Sequence, residues 1–132
     1  SSRAMSQAAM SSFEVSVSSL EGLQAGQNFK PFTKDFYREN LIELTGISPS
    51  GKTMHAHHVF TQKFETEFLK RGVNIHNPKY LTWWEVNPHL KAARGYSSKW
   101  ERFFYENPEA TPNQILEAGR EIMSDYGIKT NY

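Results

Sequence analysis

The fold of this chain turns on Met54-His55-Ala56-His57-His58-Val59-Phe60-Thr61. Three of the five histidines in the 132-residue sequence fall within four positions here, among apolar residues that predict a short half-buried strand. Histidine can hold a divalent metal through a neutral ring nitrogen and can act as a general base near pH 7, so adjacent histidines can divide the two tasks. Successive strand residues point to opposite faces, which puts His55 and His57 on one face and His58 on the other. For His57 and His58 to serve one site, the strand must end, twist or bulge between them. The alternative is a polar His55 or His58 on the wet face of an edge strand, with His57 a hydrogen-bonded core histidine.

The remaining histidines lie downstream, His76 in Gly72-Val73-Asn74-Ile75-His76-Asn77-Pro78 and His89 in Asn87-Pro88-His89-Leu90. Asn87 reads as an N-cap and Pro88 as a first helical residue, which puts His89 in the first turn of a helix. A strand bearing paired histidines, a loop bearing asparagine and a helix whose first turn bears a histidine is the layout of a ββα-metal site.

Taken together, Ala56-His57-His58-Val59-Phe60, the segment from Gly72 to Pro78, and His89 followed by Tyr96, Trp100 and Phe103 resemble the AHH branch of the HNH and endonuclease VII nucleases. The segment Phe32-Thr33-Lys34-Asp35-Phe36-Tyr37-Arg38-Glu39-Asn40-Leu41, ahead of Leu44-Thr45-Gly46, is similar to the approach to the histidine motif in those proteins. The resemblance spans roughly residues 29 to 127. It implies an α+β fold, a small ββα-metal (His-Me finger) core with additional packing helices, with residues 1–28 a linker or lead-in and 29–132 the nuclease domain.

The same resemblance implies His58 as general base and one divalent metal held by His57 and His89. The orienting asparagine is Asn77 or Asn74, with Asn77 preferred, and His76 is a third metal ligand or a phosphate contact. Some relatives carry another histidine one helical turn beyond His89, where this chain has Ala93. Two histidines with oxygen ligands suit magnesium or manganese, whereas three lean toward zinc or nickel. The function implied is a metal-dependent endonuclease toxin that hydrolyses DNA with little sequence preference. It would be delivered from a bacterial cell as part of a larger toxin, act in the target-cell cytoplasm and be matched by a cognate immunity protein of acidic character. Cleavage of RNA is the variant within that class. A non-enzymatic domain with a structural metal and an aromatic interface is the reading from another class, disfavoured because a structural site is usually closed by four protein ligands.

Composition limits the alternatives. With no cysteine there is no disulfide framework and no thiolate zinc site. Mean hydropathy is −0.64, aromatic content is 14%, and no apolar run approaches the ~18 residues of a membrane span. No secretory signal is legible at the start, so an exported form would carry its address on a longer precursor. Net charge is only +1, but Lys91, Arg94, Lys99 and Arg102 make a basic stripe beside His89, and Lys91, Arg94 and Lys99 are the candidate phosphate contacts.

Elsewhere the chain reads as scaffold. Phe13, Val15 and Val17 alternate like a strand without an obvious partner. A helix is predicted from an N-cap at Thr33 to a stop at Gly46, with Phe36, Tyr37, Leu41 and Leu44 on one face. Gly51-Lys52-Thr53 follows a proline-bearing turn rather than a strand and is rejected as a phosphate loop. Thr61 starts a short helix carrying Phe64, Phe68 and Leu69. Tyr80-Leu81-Thr82-Trp83-Trp84 predicts a strand pairing with the histidine strand, its tryptophans in the core rather than stacked on bases. A bend is expected near Gly95, then a core stripe of Tyr96, Trp100, Phe103 and Phe104. Thr111-Pro112-Asn113-Gln114 opens a final helix bearing Ile115, Leu116, Ile122, Met123 and Tyr126, stopped by Gly127.

Overall fold

A computed structural model describes residues 28–132 as a mixed α+β fold. The lead-in expected for residues 1–28, with its Phe13, Val15 and Val17 alternation, lies outside the described residues except for Asn28. The elements are α1 (Tyr37–Thr45), β1 (Met54–His58), α2 (Glu65–Lys70), β2 (Leu81–Glu85), α3 (Val86–Glu106) and α4 (Pro112–Asp125), with single 3-10 turns at Gln62–Phe64 and Pro78–Tyr80.

The predicted pairing of the histidine strand with the tryptophan strand is present. β1 and β2 form a two-stranded antiparallel sheet in which His55 faces Trp84, Ala56 faces Trp83, His57 faces Thr82 and His58 faces Leu81. The register is one-to-one throughout, with no bulge between His57 and His58. One face of the sheet carries His55, His57, Thr82 and Trp84 and packs on α3, where Trp84 meets Tyr96, and on Tyr126 at the end of α4. The other carries Ala56, His58 and Trp83 and packs on α1, where Trp83 Nε1 donates to Thr45 Oγ1 at 3.1 Å and the Arg38 guanidinium lies 4.9 Å from the Trp83 ring. The tryptophan pair thus belongs to packing, one ring on each side of the sheet.

Three local expectations need correcting. Helix α1 begins at Tyr37, because Thr33 is spent on a preceding turn: its carbonyl accepts from Phe36 N and its hydroxyl from Asp35 N. Helix α3 begins at Val86 with Glu85 as N-cap, so Asn87 and Pro88 lie inside its first turn, where a proline forfeits no helical hydrogen bond. It also runs unbroken through Gly95 for 21 residues, since the buried stripe of Tyr96 and Trp100 secures it from the C-terminal side. Two helix ends agree with expectation. Gly46 closes α1 in the left-handed conformation at φ 72°, and Thr111 and Gln114 form a reciprocal capping box at the start of α4.

The core joins Val59, Phe60, Phe68, Val73, Ile75, Trp84, Tyr96, Trp100, Ile115, Ile122 and Met123. Its anchor is the carbonyl of Val59, one residue beyond the histidine pair. It accepts from Tyr96 Oη at 2.5 Å and from Trp100 Nε1 at 2.9 Å, two donors one helical turn apart on α3. Both aromatic side chains are buried at 1% exposure or less, so each polar tip is satisfied where it would otherwise be a penalty. Among the described residues no helix is long and apolar enough to cross a membrane.

Helix α4 closes over the same segment through Gly119. A Cβ there would stand 2.9 Å from Phe60 Cε1 and 3.0 Å from Val59 Cγ1, and would also meet the Tyr132 hydroxyl. Glycine in a helix is ordinarily worth about 1 kcal/mol less than alanine, and here contact overrides that preference. Gly119→Ala should therefore lower stability by about 1–3 kcal/mol, seen as a lower urea midpoint by tryptophan fluorescence. An unchanged or raised midpoint would mean that α4 does not lie on Val59 and Phe60.

Candidate active site

Strand β1 is paired on one side only, and an open cleft of about 390 Å³ lies against it, lined from both faces of the sheet. His55 and His57 enter from one face with His89, Ala93, Tyr96 and Ser97 of α3. Ala56 and His58 enter from the other with Tyr37 and Arg38 of α1, and Thr61 and Gln62 complete the end. Since β2 blocks one flank of β1, a cleft touching both faces must pass round the unpaired flank and the C-terminal end of the strand. The strand therefore neither ends nor bulges between His57 and His58, and the two rings meet one cleft round its unpaired flank.

On the α3 side, His57 Nδ1 lies 2.9 Å from His89 Nε2, and His55 Nδ1 lies 2.8 Å from the other nitrogen of the same ring, His89 Nδ1. His89 uses opposite ring nitrogens for these contacts, so the three imidazoles form a chain rather than a common point. Two nitrogens at this spacing either share a proton or lie as neighbouring ligands of one ion, since bonds of about 2.1 Å at a right angle put ligands about 3.0 Å apart. Burial, with the nearby charges of His89 and His58, pushes the His57 pKa down to about 2, and burial together with His55 lowers that of His89. Both are therefore neutral, the form in which histidine ligates.

His57 Nε2 is buried without a hydrogen-bond partner, in a ring that stands perpendicular to Trp84 and Tyr96 at 4.7 and 4.5 Å. A fold keeps such an orphan, at roughly 1–3 kcal/mol, where the other nitrogen of the ring is needed elsewhere. His57 Nδ1 and His89 Nε2 are the nitrogens that could hold a divalent ion, with His55 meeting His89 from behind where an outer partner would stand. Among the described residues no group of three or more His, Asp or Glu side chains is disposed to hold an ion.

On the α1 side, His58 Nε2 lies 3.0 Å from His76 Nδ1, and His76 Nε2 lies 3.1 Å from Glu65 Oε2. Tyr37 packs on the His58 ring at 4.4 Å and stacks over His76 at 6.1 Å. Burial, then the neighbouring His76, pushes the His58 pKa down to about 3. Burial also lowers that of His76, against an opposing pull from Glu65. His76 is thus not seated with His57 and His89, where the sequence reading allowed it as a third ligand, and it does not line the cleft. The loop dictates this: Asn74 Oδ1 accepts from His76 N, and Asn77 Oδ1 accepts from Lys79 N to cap the turn at Pro78, so both asparagines shape the backbone around His76.

The basic residues expected to hold phosphate are placed outside the cleft. Lys91 and Arg94 are exposed on α3 away from the His89, Ala93 and Tyr96 face, and Lys99 points to α4, 3.9 Å from Asp125. The cation in the cleft wall is Arg38, whose guanidinium also braces the carbonyls of Met54 and Pro49. Nothing local marked Arg38. His55 was marked by its alternation with His57, whereas Glu65 carried no signal, since it meets His76 across 11 residues of chain.

Because His57 and His58 are held neutral, the unfolded chain, with ordinary histidine pKa values near 6.5, takes up protons that the fold refuses. Stability is full above pH 6.5 and is lost as pH falls toward about 3, by about 2 kcal/mol for each histidine at pH 5. The melting temperature should accordingly drop between pH 7.5 and pH 5 in the wild-type chain, and the drop should shrink in His58→Gln. A flat profile would show that neither ring is held neutral.

No protein-family model, no curated protein and no solved structure matches this chain.

Proposed function

We propose that this chain is a metal-dependent nuclease of the ββα-metal kind, with β1, β2 and the first turn of α3 as its core, cutting phosphodiester bonds in DNA. One observation carries the proposal: the His57 and His89 nitrogen pair opens onto the same cleft as His58, although the strand sends His57 and His58 to opposite faces. A metal-binding pair and a free neutral imidazole on one cleft are what phosphodiester hydrolysis requires.

A divalent ion held by His57 and His89 would polarise the phosphate and stabilise the leaving oxygen. His58, neutral and lining the cleft, takes the proton from the attacking water as its oxygen bonds to phosphorus and the bond to the leaving oxygen breaks. Tyr96 and Trp84 keep the ligand face of β1 dry, and the Val59 clamp holds the position of His58. The first turn of α3, which contains His89, adds a helix N-terminus suited to a phosphate. Lys91 and Arg94, exposed on the outer side of α3, serve as contacts to the flanking backbone of a long substrate, which favours phosphate over base recognition.

The likeness to AHH nucleases supports placing the domain in a toxin delivered between bacteria, acting in the recipient cytoplasm and neutralised in the producer by an immunity protein. A structural metal domain is disfavoured, because two protein ligands leave the ion open.

Purified chain incubated with supercoiled plasmid, and separately with total RNA, should nick the plasmid only when magnesium, manganese, zinc or nickel is present. Activity should vanish with chelator and fall by at least about a hundredfold in His58→Ala, with the circular dichroism spectrum retained. His57→Ala and His89→Ala should each weaken calorimetric zinc binding by tenfold or more. Cleavage of RNA alone would move the substrate assignment, and no cleavage of either would end the nuclease reading.

A further inference from the structure

The two nitrogen pairs that flank β1 are almost equally spaced, but only one opens to the cleft. His57 and His89 both line it, whereas His76 stands behind the wall that His58 forms, with Glu65 behind His76. The inner pair is therefore a hydrogen bond in a buried relay, and its direction is fixed by the group at its far end.

We propose that Glu65 and His76 are positioning residues that fix the proton of His58 on Nε2 and so present the Nδ1 lone pair to the cleft. The inference rests on the base role proposed above for His58. A carboxylate accepts hydrogen bonds and donates none, so the 3.1 Å contact requires the His76 proton on Nε2. A neutral imidazole has one proton, which leaves His76 Nδ1 as an acceptor. The 3.0 Å contact from His58 Nε2 to that atom must then carry the His58 proton. What remains on His58 is a lone pair at Nδ1, on the ring that lines the cleft.

Reversing the relay would turn a lone pair of His76 toward the carboxylate, which is repulsive. A doubly protonated His76 would reverse only the inner bond, and its burial, at 3% exposure, opposes that charge. Glu65 is half exposed, at 47% for its side chain, so its carboxylate stays solvated while it orients the ring behind it. Tyr37 packs against both imidazoles and limits their rotation.

When His58 takes a proton from water, the O–H bond breaks, an Nδ1–H bond forms and the Nε2 proton stays donated to His76. No proton passes along the relay. Its aligned dipoles, ending in the Glu65 carboxylate, stabilise the positive charge that His58 acquires. In this reading His76 takes the orienting role that the resemblance gave to Asn77, whose side-chain oxygen accepts from Lys79 N.

The test reads the tautomer directly. In the full 132-residue chain labelled with 15N-histidine, at pH 7.5 and without added metal, two-bond proton–nitrogen spectra should show His58 and His76 both as Nε2–H imidazoles, with His58 assigned by its loss in His58→Gln. Plasmid cleavage should lose about a hundredfold in kcat in His76→Ala and about tenfold in Glu65→Ala, with KM within twofold. His76→Asn, whose side-chain oxygen can accept near the position of Nδ1, should recover most of the loss, which a purely structural role would not predict. Wild-type His58 carrying its proton on Nδ1, an imidazolium at His76, or a His76→Ala variant with unchanged kcat would each overturn the inference. Should the wild-type chain carry the stated tautomers but cleave no nucleic acid, the fixed proton stands and the nuclease reading alone falls.

Discussion

Successive side chains leave a strand in opposite directions, and everything at this site follows from how that constraint is met. His57 and His58 are neighbours that cannot share a face, so they share a cleft only because the cleft runs round an unpaired strand flank. A third strand added beside β1 would separate them. The two-stranded sheet is thus the condition under which side chains from both faces of β1 reach one cleft.

The second requirement is rigidity. A strand of five residues in a two-stranded sheet has little stability of its own. The Val59 carbonyl, gripped by Tyr96 and Trp100, ties the end of β1 to the longest helix, and α4 presses on the same segment through Gly119. The histidines are therefore set by long-range packing more than by the sheet. Burial behind these aromatics also holds His57 and His58 neutral, so the force that builds the core also sets the protonation of the paired histidines.

The two histidine chains are near mirror images across the sheet and differ in what stands at their ends. One ends in His55 at the cleft wall, a third imidazole that meets His89 through the nitrogen opposite His57. The other ends in a carboxylate, which dictates the direction of each bond back to His58. Similar nitrogen spacings thus support different chemistry, decided by exposure to the cleft on one side and by Glu65 on the other.

Much of the scaffold was legible because it rests on local chemistry. The alternation of 55 to 58, the run of strand formers from Leu81 to Trp84, the Thr111 to Gln114 capping box and the stripe of Tyr96 and Trp100 are contained within a few turns of chain. Boundaries failed in two ways: Thr33 was drawn into a local turn with Asp35 and Phe36 that competes with the cap, and α3 ran straight through Gly95 because packing outweighed the local signal. The sequence by itself determined which residue types could do chemistry and that His57 and His58 leave the strand on opposite sides, since both follow from covalent structure and strand geometry. Only the tertiary structure decided that His55 rather than His76 joins His89, that Arg38 stands in the cleft while Lys91, Arg94 and Lys99 do not, and that Glu65 stands behind His58. Those pairings join residues 11 to 34 positions apart, and no local propensity encodes which of several possible partners packing will bring within hydrogen-bond reach.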